Sequence, residues 1–157
     1  MNKSKIKNLL FYVISAELIG ILSAYFTGNF SDFFLKYKAP PLLPPAWIFP
    51  VVWSILYAFM GISAHIISDT DGDFYQKNRA LLIYWFQLAV NFIWSIFFFR
   101  FELMKPGTAI IIFLIFLVSA MIYSFKYIRA SAAYLNIPYL IWLIFALYLN
   151  IATIIVN

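Results

Sequence analysis

The sequence predicts an all-α integral membrane protein, a bundle of five transmembrane helices forming one domain over residues 1–157. Three observations carry this. Hydrophobic residues make up 65% of the chain and charged residues 11%, with a mean hydropathy of +0.91, beyond what a water-facing surface tolerates. The apolar residues fall into runs long enough to cross a bilayer. The charges gather in the short segments between those runs, so the net charge of +5 is explained by orientation in a membrane rather than by nucleic acid. Cysteine is absent, which excludes disulfides, thiolate metal sites and thiol catalysis. The single histidine, His65, makes no zinc site without carboxylate help.

The first span is expected over residues 9–26, behind a basic head. Its length and Glu17 in its middle set it apart from a cleaved signal peptide. Ala16, Gly20 and Ala24 recur every four residues and present a small face to a neighbouring helix, within the protein or across a dimer. Glu17 is the acidic residue within the spans, either a functional carboxyl or one hydrogen-bonded to a neighbour.

A long first loop follows over residues 28–46. Its end is crowded with Pro40, Pro41, Pro44 and Pro45, and Pro50 comes soon after, so a stiff, extended lid is expected there. The second span, 47–68, places Trp53, Tyr57, Gly61 and Ala64 on one face, an aromatic wall with a small-residue gap. Pro50 falls in its first turn, where a missing N–H costs little. Asp69, Asp71 and Asp73 form a polar turn without the ligand spacing of a calcium loop.

The third span, 80–99, carries Gln87, Asn91 and Trp94 on one face, amides that either bond to neighbouring helices or point into a cavity. The fourth, 108–127, has no internal charge until its end and reads as scaffold. The fifth, 132–155, is interrupted early by Pro138, where a kink is expected, and aligns Tyr139, Trp142, Ala146 and Asn150. Two aromatic stripes and an amide stripe, on the second, third and fifth spans, are expected to line one interior site for a flat, greasy ligand. Basic residues number seven on the N-terminal side (Lys3, Lys5, Lys7, Lys77, Arg79, Lys126, Arg129) and four on the other (Lys36, Lys38, Arg100, Lys105), which predicts a cytoplasmic N-terminus.

Three blocks then resemble a known family. The segment from Pro40 to Gly61, with Pro44, Pro45, Trp47, Phe49, Pro50, Trp53 and Tyr57, looks like the first loop and second helix of the tryptophan-rich sensory protein or translocator protein family, also called peripheral-type benzodiazepine receptor-like. Gln87, Asn91, Trp94, Ser95 and Phe98 are similar to its third helix, and Pro138, Tyr139, Trp142, Phe145, Ala146 and Asn150 to its fifth. The resemblance implies a five-helix, commonly dimeric bundle in a membrane, here a bacterial cell membrane, with a pocket under the first loop.

It also implies a ligand: a porphyrin such as protoporphyrin IX, with haem, isoquinolines or benzodiazepines as further candidates, and no required cofactor. Carried over by position, the ligand-binding residues would be Trp47, Trp53, Tyr57, Gly61, Asn91, Tyr139, Trp142 and Ala146, with Phe33 and Phe34 in the loop. If the protein performs the light- and oxygen-dependent porphyrin breakdown reported for some members, Trp53 and Trp142 would carry it. The chain departs from the family at Phe33-Phe34, where Trp-Tyr is usual, and at Ala39, where Lys is usual. No Arg follows the fifth helix, as it does in the animal sterol motif. A transporter with Glu17 in a proton path is a third reading, and the sequence has no repeat to support it. His65 as a haem ligand is set against an interfacial, hydrogen-bonded histidine.

Overall fold

The computed structural model describes residues 3–28 and 30–157, so Met1 and Asn2 of the basic head and Asn29 of the first loop lie outside the described residues. Among the described residues five helices are long and apolar enough to cross a membrane. In chain order the elements are α1 (Lys3–Thr27), α2 (Phe30–Lys36), α3 (Ile48–Asp69), α4 (Phe74–Ser95), a π-helical turn (Ile96–Arg100), α5 (Met104–Ile128), α6 (Ala130–Tyr134) and α7 (Ile137–Val156). There is no strand among the described residues.

Local chemistry sets several of these boundaries. Asp73 caps α4, its carboxylate accepting from the Gln76 backbone N–H at 2.8 Å, so the acidic turn serves as a helix start. Pro50 sits in the first turn of α3. Pro138 breaks the last span instead of kinking it: α6 ends at Tyr134 and α7 begins at Ile137, with the proline in its first turn, where no intrahelical bond is lost. The beginning of the first loop is occupied by α2, and the proline-rich part that follows is irregular. Asp32 in the first turn of α2 and Lys36 in its last complement the helix dipole.

Helix α1 packs on α3 and α4, while α5 packs on α4, α6 and α7. The scaffold character expected of the fourth span is visible in α5, whose Ile111, Leu114, Val118, Met121 and Phe125 are fully buried along one stripe. Gly107 lets the start of α5 lie against the π turn, since an added Cβ there would come within 2.9 Å of Phe98 Cβ. Lys5 pairs with Asp69 at 2.9 Å at one end of the bundle. At the other, the Lys38 backbone N–H donates to Asn157 Oδ1 at 2.8 Å, so the first loop and the C-terminus share the face opposite the N-terminus.

Candidate functional site

Helices α1, α3, α4 and α7, with the first loop and the π turn, enclose a cavity of about 430 Å³, within the range of small-molecule sites. Helix α5 contributes nothing to its lining. Trp53 is the centre of the aromatic wall, with ring centroids 5.7 Å from Tyr57 and 6.0 Å from Trp94. Trp142 faces the same space from α7, its ring edge-on to Phe49 at 5.9 Å. The π turn comes where Phe98 and Phe99, adjacent in sequence, both line the cavity.

Polar groups punctuate this wall. Asn91 Nδ2 donates to the Tyr57 hydroxyl at 2.9 Å, fixing the ring that an added Cβ on Gly20 would strike. With its amide oxygen turned to the indole, Asn150 accepts from Trp94 Nε1 at 3.0 Å and donates to the Ala146 carbonyl at 3.2 Å. Ser23 and Ser95 hydroxyls lie 2.6 Å apart, and Thr27 donates to Ser95 at 3.0 Å. Glu17 Oε2 accepts from the Ser54 hydroxyl at 3.2 Å.

Of the residues expected at a ligand site, Trp53, Tyr57, Asn91, Trp142, Ala146 and Phe34 line this cavity. Four others lie elsewhere. Trp47 is 67% exposed on the outside of the first loop. Gly61 faces α1, where an added Cβ would come within 2.6 Å of Val13 Cα, so its small-residue gap is filled by a helix backbone. Tyr139 is fully buried behind the wall, its hydroxyl donating to Gln87 Oε1 at 2.9 Å. Phe33 is packed against Phe98 and Phe99 at 5.5 and 5.2 Å and holds the lid from within. His65 lies outside the lining, so it offers no axial ligand to a haem in this cavity. Among the described residues no three metal-ligating side chains come together.

Sequence reasoning passes over Ser23, Thr27 and Ser54 as cavity groups and names Ser95 within the third-helix block without a role. The spacing of Ser23 and Thr27, one turn apart within an apolar helix, is the signal that places hydroxyls on the inner face of α1.

The lid is anchored at two places. Lys36 pairs with Glu102 Oε2, which also accepts from the Tyr37 hydroxyl at 2.7 Å. These donors hold the Glu102 carboxyl below the usual carboxylate range, and the same carboxylate pushes the Tyr37 phenol up. On the far side Tyr148 donates to the Pro41 carbonyl at 3.1 Å, and Asn157 Nδ2 to the Lys38 carbonyl at 3.1 Å.

Residues 12–156 match the TspO/MBR family. The chain is 30% identical over 154 residues to the tryptophan-rich protein TspO of Archaeoglobus fulgidus, covering 97% of this chain and 98% of that protein. It is 34% identical over 107 residues to the tryptophan-rich sensory protein of Cereibacter sphaeroides, covering 68% and 65%. With the translocator protein of Bos taurus it shares 32% identity over 143 residues, covering 88% and 83%.

Proposed function

Because this integral membrane chain belongs to the TspO/MBR family, we propose that it is a receptor-like protein that binds a porphyrin or another flat apolar molecule in the lidded cavity, acting in tetrapyrrole sensing, regulation or transport. The observation that carries the reading is the indole wall: Trp53, Trp94 and Trp142 all face one cavity of about 430 Å³. A porphyrin presents a broad π-face on which such rings stack, while the rest of the lining is largely apolar. Its propionates are assigned to the lid end, towards Lys38, since Lys36 is already paired with Glu102. Protoporphyrin IX is the probe of choice, no resident cofactor is required, and haem is a further candidate ligand.

The same indoles support a second reading, light-driven oxidation of the bound porphyrin by dioxygen, in which Trp53 and Trp142 donate electrons to the photoexcited ring or to singlet oxygen. The basic residues, seven against four, favour a cytoplasmic N-terminus in a bacterial cell membrane, and a homodimer in the bilayer is the proposed assembly. Nucleic acid has no place in this reading.

The test is a titration of protoporphyrin IX into detergent-purified protein, following tryptophan quenching in the dark and absorbance under illumination, with Trp53→Phe and Trp142→Phe alongside. Saturable quenching, weakened in both variants, is expected. Quenching that never saturates contradicts the binding reading, and a new absorbance band lost in the variants adds the photo-oxidative activity.

A further inference from the structure

The cavity has a chemical polarity that an indole wall does not require. Among its lining residues there is one carboxyl, Glu17, and no Lys, Arg or His. Glu17 lies ten residues before the end of α1, about 15 Å from the lid end at 1.5 Å per residue, far from the lid's lysines. A carboxyl at that depth of a bilayer is expensive unless something pairs with it. Its protein partner is the Ser54 hydroxyl, at 3.2 Å on Oε2, and Oε1 has no hydrogen bond among the described residues. Glu17 and Ser54 both line the cavity, so the pair is reachable from it. The aromatic residues Trp53 and Tyr57 line the same space, the residue types that attract a cation.

We propose that Glu17, oriented by Ser54, is the specificity-determining residue of the cavity and receives the protonated nitrogen of a flat aromatic amine. This rests on the reading of the cavity as the ligand site and adds the class of ligand it prefers. An incoming ammonium or amidinium supplies the countercharge that the protein withholds, through a charge-assisted hydrogen bond to the free oxygen. An anionic ligand has to keep its carboxylates at the lid end, because the inner end repels them. The pyrrole N–H groups of a porphyrin point into the macrocycle and reach Glu17 poorly. An exocyclic amine on a small ring system reaches it directly.

The test uses three tricyclic probes of nearly equal shape: 9-aminoacridine, protonated at neutral pH; acridine, neutral; and acridine-9-carboxylate, anionic. Binding is read by fluorescence anisotropy in a non-ionic detergent, on the wild type and Glu17→Gln, with protoporphyrin IX as a fourth probe. The wild type is expected to bind in the order amine, neutral, carboxylate. Glu17→Gln is expected to weaken the amine by about tenfold, the size of one charge-assisted hydrogen bond, while acridine changes little. If the amine binds no better than acridine to the wild type, the subsite is overturned, and this outcome does not depend on the variant folding. Equal loss of amine and acridine in Glu17→Gln overturns it as well. In either case saturable protoporphyrin IX binding leaves the cavity reading standing, whereas failure of all four probes on the wild type removes the cavity reading and the subsite together.

Discussion

Helices α1 and α3 meet at two glycines, and the two seams have opposite consequences. At Gly61 of α3 the backbones touch: an added Cβ would lie 2.6 Å from Val13 Cα and 2.8 Å from the Tyr12 carbonyl oxygen. At Gly20 of α1 the space left by the missing side chain is taken by a ring, Tyr57, which then forms a wall of the cavity. Polar residues follow the same division. Gln87 with Tyr139, and Asn136 with Ser63 at 2.9 Å, pair inside packed protein. Asn91 with Tyr57, and Asn150 with Trp94, pair along the cavity lining. A small residue in a membrane helix is thus a contact point where it faces backbone and a site-shaping element where it faces a ring.

The largest expected effect is on the backbone seam. Gly61→Ala gains helix propensity but forces α1 and α3 apart, a net loss of about 2 kcal/mol that lowers the thermal midpoint in detergent. Gly20→Ala is expected to displace the Tyr57 ring instead, weakening protoporphyrin IX binding more than stability. If both variants lose stability alike, the distinction between the seams fails.

The next effect separates the two kinds of polar pair. Tyr139→Phe leaves Gln87 Oε1 unpaired in fully buried protein and is expected to cost about 1 kcal/mol in denaturation experiments. Tyr57→Phe removes the hydroxyl that Asn91 donates to, but Asn91 faces the cavity, where water or ligand replaces the bond. A loss below that of Tyr139→Phe is expected there, with the larger change appearing in ligand affinity.

The smallest effect concerns the lid. Glu102 has its carboxyl pKa lowered in the fold, so the stability it lends is present above its ordinary value near 4.5 and is lost as pH falls through the depressed folded value. Proteolysis at the first loop is expected to quicken over that acidic range in the wild type. Glu102→Gln is expected to show fast cleavage at every pH, and an unchanged pH profile in that variant would show the anchor to be idle.

Helical period made much of this legible. Trp53 and Tyr57, Asn91 and Trp94, and Trp142, Ala146 and Asn150 share faces in the sequence and line one cavity in the structure. Periodicity gives the direction of a side chain but not what stands opposite it. Gly61 and Tyr139 therefore lie on the expected faces yet meet α1 and Gln87 rather than open space. Depth is similarly hidden, which is why Trp47, next to the prolines, ends outside. The prolines also mask α2, whose Asp32 and Lys36 are its visible signal. The π turn over Ile96–Arg100 has no signal in the local sequence.

The central claim is that the space beneath the lid receives the ligand, and Ala146 offers the most direct measurement. Ala146 is 7% exposed and lines the cavity, so Ala146→Leu adds three carbons at the edge of that volume. The account predicts that Ala146→Leu keeps the wild-type thermal midpoint and loses saturable protoporphyrin IX binding by tryptophan quenching. Unchanged affinity in a folded Ala146→Leu protein would contradict it and move the site elsewhere.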